Sequence, residues 1–332
     1  MTKSDVFRVW GRVLGGRSPF LSIEITKECP LRCPGCYAYS PDHLGEGVNL
    51  RQLSDLKGRA LVDEVVELVR RLRPVHLSII GGEPLVRFRE LDELLPILDR
   101  MKVEVQLVTS AVRPIPIAWA ALRNLHLAVS GDGLQPEHDR RRAPATYARI
   151  IQHIRGHWVN IHCTVTRQTI SQAGALHEFS HFWSALPEVR KLWFSLYTPQ
   201  EGEVSEERLT PADRIEAVRQ IGSVRDRFRK VDAPSHVLRG FLRPPESPEQ
   251  CVFAQLTTCL SADLSSRITP CQFGGKPVCN ECGCIASVGM AAVANVRLAG
   301  LVPLSALLAG SQRIGNLFAP DPLPDSRLDR AA

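Results

Sequence analysis

Between residues 20 and 200 short apolar runs alternate with stretches of helical periodicity, and this alternation limits the possible folds more than any other feature. Six runs read as strands: Leu21 to Thr26, Val75 to Ile80, Val103 to Thr109, Leu125 to Ser130, Val159 to Thr166 and Leu192 to Tyr197. Leu61, Val65, Leu68 and Val69 mark a first helix between them, and Phe88, Leu91, Leu95 and Leu98 a second. Thr210, Pro211 and Asp213 supply a hydroxyl cap, a first-turn proline and a carboxylate at the positive end of a run through Ile215, Val218 and Ile221. Repeated β-α units build a parallel sheet. Six units fall short of the eight that close a barrel, so the expected fold is α/β, an open partial (β/α)6 TIM-type barrel.

The prolines of "RGFLRPPESPEQ", residues 239 to 250, cannot continue a helix or a central strand and mark a boundary. The expected organisation is an amphipathic N-terminal helix over 1–19, the barrel over 20–238, a cysteine-rich segment over 239–285 and an apolar helical tail over 286–332. Asn295, Arg297 and Pro303 interrupt the tail, and neither half reaches the roughly 20 apolar residues that span a bilayer. At the start, Phe7, Trp10 and Leu14 form a stripe beside Val6, Val9 and Val13, while Lys3, Arg8, Arg12 and Arg17 are basic. Such a helix can associate peripherally with an anionic membrane surface, although packing on the parent domain is the commoner fate.

No secretory signal pattern is read at the start, so the expected location is the cytoplasm, with the membrane surface as the alternative. The net charge of +6 comes from scattered arginines and leaves no nucleic-acid footprint. Ten cysteines, six of them between Cys251 and Cys284, then point to metal ligation in a reducing compartment rather than to disulfides.

Three of the cysteines, Cys29, Cys33 and Cys36 in "CPLRCPGC", follow the first strand at Cys-x3-Cys-x2-Cys spacing. Three thiolates leave one position of an iron-sulfur cluster open to a ligand; an incomplete zinc site or buried thiols is the plainer alternative. Parallel β-α folds carry their chemistry at the carboxyl ends of the strands. There the sequence places Gly81-Gly82-Glu83-Pro84 after the second strand, Thr109 and Ser110 at the third, Ser130-Gly131-Asp132-Gly133 at the fourth, Thr164 and Thr166 on the fifth and Tyr197 at the sixth.

The cysteine triad followed by "GGEP" resembles the radical SAM superfamily over about residues 20 to 200. The resemblance implies a 4Fe-4S cluster on Cys29, Cys33 and Cys36 whose free iron is chelated by S-adenosylmethionine (SAM). It implies Gly81, Gly82, Glu83 and Pro84 around the methionine amine, and Thr109, Ser110, Ser130 and Asp132 near the carboxylate and ribose. Arg142 matches an arginine that pairs with the SAM carboxylate, with a solvated basic patch as the alternative. The implied activity is reductive cleavage of SAM to a 5′-deoxyadenosyl radical that attacks an unactivated carbon, with electrons from a flavodoxin- or ferredoxin-type donor. One departure stands out: the residue before the third cysteine, usually aromatic in the superfamily, is Gly35, so packing over the adenine falls to Tyr37 or Val165.

The later cysteines, Cys251, Cys259, Cys271, Cys279, Cys282 and Cys284, resemble the SPASM/twitch extensions of radical SAM enzymes, with one cysteine fewer than the seven of SPASM proper. The expected centre is a single auxiliary 4Fe-4S cluster on Cys251, Cys271, Cys279 and Cys282, with Cys284 as the substitute ligand and zinc as the alternative metal. Cys259 and Cys163 read as structural or free thiols, and Tyr197 and Cys284 are candidate hydrogen-atom donors. "AVSGDGLQPEHDRRRAPATYARI", "VNIHCTV" and Gly35 bear a weaker likeness to the branch acting on hopanoids and related lipids, which implies a lipid or other small-molecule substrate. The competing readings are a peptide or protein maturase and, from a different class, a non-catalytic iron-sulfur or zinc protein.

Overall fold

The computed structural model describes residues 3–45, 47–294, 297–298, 302–303 and 310–311. All six expected strands form: β1 (Phe20–Glu24), β2 (His76–Ile80), β3 (Glu104–Thr109), β4 (Leu125–Ser130), β5 (Val159–Val165) and β6 (Val189–Leu196). A seventh, β7 (Thr257–Leu260), comes from the cysteine-rich segment and joins the same sheet in the order β6-β5-β4-β3-β2-β1-β7. Every neighbouring pair is parallel. The fold is α/β, a partial barrel.

Strand β7 qualifies the boundary drawn at residues 239 to 250. Its Cys259 stands beside Ser22 of β1, so the cysteine-rich segment is built into the edge of the barrel sheet. "TTCL" is short and lies among cysteines, so its threonines and leucine carry little strand signal by themselves.

Helices α1 (Lys3–Leu14), α2 (Gly58–Leu72) and α3 (Phe88–Arg100) precede β1, β2 and β3. Alternation along the strands sorts two faces. Leu21, Ile23, Leu77, Ile79, Val105, Leu107, Val129, Ile161 and Val165 join Leu61, Val65, Leu91 and Leu95 of the helices in one buried core. The opposite, interior face is largely polar. Ser22, Ser78, Gln106 and His126 stand side by side across β1 to β4, and Ser130, His162 and Trp193 across β4 to β6.

Along α1, Val9 and Val13 are buried whereas Phe7 is 70% and Leu14 43% exposed. Trp10 donates its indole N–H to Ser311 Oγ at 2.9 Å. The apolar tail begins as a helix, Ile285–Ala294, followed by the short antiparallel pair Arg297–Leu298 and Val302–Pro303. Much of the expectation for residues 286–332, with those for Val6 and Asn295, lies outside the described residues.

The helix start read at Thr210 forms as a capping box. Thr210 Oγ1 accepts from the Asp213 N–H at 3.1 Å, and the Asp213 carboxylate accepts from the Thr210 N–H at 2.9 Å, opening Pro211–Arg227. Thr210→Ala is expected to lower unfolding free energy by about 1 kcal/mol. Urea titration should show a lower midpoint with an unchanged slope, and Thr210→Ser should restore it.

Candidate functional site

The loop after β1 carries Cys29, Cys33 and Cys36 as free, half-buried thiols. It folds against the "GGEP" turn because that turn has no side chains in the way. Gly81 and Gly82 have φ of +81° and +50°, and a Cβ on Gly81 would collide with Glu24, one on Gly82 with the carbonyls of Thr26 and Glu28. The next N–H, of Glu83, donates to Glu28 O at 2.9 Å.

Glu83 is buried, and its carboxylate gathers the end of β3. Oε1 accepts from Thr109 Oγ1 at 2.5 Å and the Leu85 N–H at 3.0 Å; Oε2 accepts from the Ser110 N–H at 2.8 Å and its hydroxyl at 2.5 Å. Glu83, Thr109 and Ser110 are therefore one hydrogen-bonded unit beside the cysteine loop. Pro84 opens the short helix that follows, Pro84–Arg87.

Asp132, at the end of β4, accepts from Arg142 Nε at 2.7 Å and from the Thr164 N–H at 3.1 Å, with Arg141 Nε 3.4 Å away. Burial works to raise its carboxyl, but Arg142 and then Arg141 outweigh that and hold it well below the usual carboxylate range. Held by Asp132 against the penalty of burial, Arg142 also interacts through space with the Cys33 and Cys36 thiols. Ser130 is buried at the same strand end.

Arg141 pairs with Glu207 and donates to the Pro34 carbonyl at 3.0 Å, which pins the cysteine loop. This explains Gly35. Its φ is +64°, and a Cβ there would meet the Glu207 carboxylate at 2.9 Å and the Tyr197 hydroxyl at 3.1 Å. The place of the missing aromatic is filled from the far side of the site. Tyr197 is buried, with its hydroxyl on Glu203. Val165 faces the helical core, so it does not offer packing for an adenine on the interior face. Tyr37 lies on the loop, 5.2 Å edge-on from Phe273 and 5.8 Å from His43 between ring centres.

Burial pushes the Cys29 thiol up to about 11, the Leu31 N–H opposing and Glu83, Cys33 and Cys36 adding to it. Burial and Cys33 likewise raise Cys36. Without a metal, Cys29 and Cys36 therefore hold their protons more tightly than free thiols. Among the described residues no three histidine, cysteine or carboxylate side chains could hold a single metal ion. The donor set fits an iron-sulfur cluster: three thiols within electrostatic reach of one another and a partly buried guanidinium to balance the charge of the thiolates.

The second set of cysteines surrounds a separate small cavity. Cys251, Cys271, Cys279, Cys282 and Cys284 all line it, with Phe273 among its apolar walls. Cys251 lies 3.2 Å from Ser287 Oγ, and Cys259 packs behind in the same cluster. Cys163 is instead buried in the main core. The turn carrying Cys279 and Cys282 is fastened by Arg214, which donates to Phe241 O at 2.9 Å, Cys282 O at 3.1 Å and the Glu281 carbonyl. Gly283 then pairs with Leu196 at the end of β6. Burial raises Cys284 and Cys271, each reinforced by neighbouring thiols.

A buried pair joins the two cysteine sites. His43 Nε2 is 2.9 Å from Glu24 Oε1, and His43 Nδ1 3.0 Å from Phe273 O. Because a carbonyl only accepts, Nδ1 carries a hydrogen. Glu24 also accepts from Ser261 Oγ at 2.6 Å. Glu24, His43, Glu207 and Arg214 were not singled out in the sequence. A single histidine, an arginine on a helix and two scattered carboxylates carry no spacing signal.

Residues 23–156 match the model of the Radical SAM superfamily. A 7-carboxy-7-deazaguanine synthase from Hyperthermus butylicus is 33% identical over 106 residues, 31% of this chain and 39% of that protein. The chain thus spans about two fifths of the length of that curated relative. Streptococcus suis SuiB bound to S-adenosylmethionine has a TM-score of 0.60 at 15% identity, over 98% of this chain and 80% of SuiB. Native anSMEcpe with bound AdoMet has a TM-score of 0.55 at 16% identity, over 88% of this chain and 84% of that one. At such identities the two structures speak for the fold. Radical SAM proteins use a 4Fe-4S cluster and SAM, for which the first cysteine loop has the donors.

On the interior face His162 has its Nε2 2.8 Å from Ser195 Oγ. Burial lowers its imidazole to about 4, Asp132 opposing and Arg142 reinforcing. The folded value lies below the ordinary one of about 6.5, so between the two the unfolded chain binds more protons. Stability from this group is full above about pH 6.5 and is lost as the pH falls toward about 4. In His162→Gln, urea stability measured across that window should decline less steeply than in the parent.

Proposed function

We propose that this chain is a radical SAM enzyme that acts on a carbon of a substrate carrying hydrogen-bonding groups, with a second iron-sulfur centre in the rear cavity. The observation that carries the reading is the joint placement of three loop thiols, the Glu83 unit and the Asp132–Arg142 pair at the carboxyl ends of β1 to β4. Bound by Cys29, Cys33 and Cys36, a cluster would supply one electron, received from a flavodoxin- or ferredoxin-type donor, to break the sulfur–carbon bond of SAM into methionine and a 5′-deoxyadenosyl radical. The chain's own residues do the rest. Gly81 and Gly82 let a ligand approach the backbone, the Glu83 unit orients an amine, and Arg142 offers a guanidinium to a carboxylate. The walls of the barrel exclude water from the reacting carbon.

Below that site the interior face presents His162, Trp193, Asn160, Gln106, Ser78 and Ser22. Buried amides and hydroxyls left without partners are unfavourable, so such a wall favours a substrate that hydrogen-bonds to it over a purely aliphatic chain. A peptide or other polar molecule fits; SuiB has also been solved with its precursor peptide SuiA. A lipid is the second reading, favoured by the exposed Phe7 and Leu14 on α1. In that case Phe7→Asp should abolish binding to liposomes.

The cavity lined by Cys251, Cys271, Cys279, Cys282 and Cys284 offers one thiol more than a four-thiolate centre needs. Cys251, Cys271, Cys279 and Cys282 are the proposed ligands, with Cys284 in reserve or acting as a hydrogen-atom donor. Anaerobic reconstitution should give about eight irons per chain, and about four in Cys279→Ala/Cys282→Ala. Dithionite and SAM should yield 5′-deoxyadenosine, and Cys33→Ala should yield none. A reconstituted parent that holds iron but leaves SAM intact would sink the reading.

A further inference from the structure

Remote from both cysteine sites, a cleft of about 490 Å³ opens at the amino-terminal ends of β2 and β3, and five cationic side chains line it: Arg8, Arg12, Arg70, Arg73 and Lys102. We infer that this cleft is a binding site for phosphate groups, with α1 as one wall and the ends of α2 and α3 as the other.

Mutual repulsion is the first support. Arg12 is lowered from the ordinary arginine value by burial and then by Arg17, Arg73 and Arg8 in turn. Arg8 and Arg12 are four apart on α1, where like charges meet on one face. Among the described residues Arg12, Arg73 and Lys102 form no ion pair with a carboxylate. Arg70 reaches Glu67 only at 4.0 Å, on an exposed surface. Three of the five lining cations, Arg12, Arg73 and Lys102, are thus without a carboxylate partner among the described residues.

Backbone conformation is the second support. Arg73 and Lys102 have φ of 47° and 58°, the left-handed region that glycine occupies most easily. Each follows a helix, so each would be more comfortable as glycine. At both positions the chain carries a long cation instead, and both point charge into the cleft. The negative end of a helix attracts a cation and accounts for part of this, since three helices end here. Partial charges at three helix ends do not balance the full charges of Arg12, Arg73 and Lys102 crowded on one cavity, and an anion would.

Guanidinium forks match phosphate oxygens in pairs, which makes arginine-rich walls better suited to phosphate than to an isolated carboxylate. The volume accepts a diphosphate or a phospholipid headgroup. The exposed Phe7 and Leu14 lie on the helix that supplies Arg8 and Arg12, so headgroup binding would bring apolar side chains to the acyl boundary at the same time. The inference does not depend on the nature of the substrate.

Binding of the full chain is to be measured in two arms: flotation with phosphatidylcholine vesicles with and without phosphatidylglycerol, and calorimetric titration with inorganic pyrophosphate. Arg73→Gly removes a cation and relieves the left-handed conformation, so it should leave thermal unfolding no lower than in the parent. Combined with Arg12→Gln it should weaken binding by about tenfold or more in whichever arm shows it. Loss confined to phosphatidylglycerol vesicles identifies a headgroup site; loss confined to pyrophosphate identifies a soluble phosphate ligand. No binding in either arm, or binding that the double variant leaves unchanged, overturns the inference.

Discussion

Glu24 is the group around which the two halves of the site are assembled. It lies fully buried at the end of β1, and a carboxylate in such a place is tolerated only with its partners in position. Those partners come from far apart in the chain. His43 follows the first cysteine loop, Ser261 follows β7, and His43 in turn holds the Phe273 carbonyl beside Cys271. Removing any partner leaves a buried polar atom unsatisfied, so the loop bearing Cys36 and the segment bearing Cys271 are held in a fixed relation. Tyr37 fills the space between them with its ring against His43 and Phe273.

The same logic recurs on the other side of the first cysteine loop. Arg141 spans Glu207, Asp132 and the Pro34 carbonyl, while Arg142 neutralises Asp132 and faces Cys33 and Cys36. Two adjacent arginines therefore do different work: one fixes the loop and the other sets the charge around its thiols. Read as a string, "HDRRR" looks like a solvated basic patch. The fold turns two of its arginines inward because a buried carboxylate awaits them there.

Legibility in the sequence follows from how far apart the interacting residues lie. The six strands, the capping box at Thr210 and the cysteine loop are local patterns, each settled within a dozen residues, and all are present. Strand β7 was not legible, because four residues pair with β1 237 positions earlier, Thr257 with Phe20 through Leu260 with Ile23, and only the sheet edge makes them a strand. Gly35 read as a loss of adenine packing, when its space is claimed by Glu207 and Tyr197. Val165 read as packing over an adenine, but alternation turns it to the core. Facing direction, not position along the chain, decided that outcome.

The rear cavity shows why the cysteine-rich segment cannot be treated as an appendage. Five thiols converge within apolar walls, and burial makes each of Cys271, Cys279, Cys282 and Cys284 harder to ionise. Protonated thiols are weak hydrogen-bond donors and hold such a lining together poorly, so the gain from binding metal there would be a gain in folding free energy. Arg214 and Gly283 fasten the turn of Cys279 and Cys282 to the end of β6, and β7 fastens its other end to β1. The segment thereby ties together the two open edges of the partial barrel.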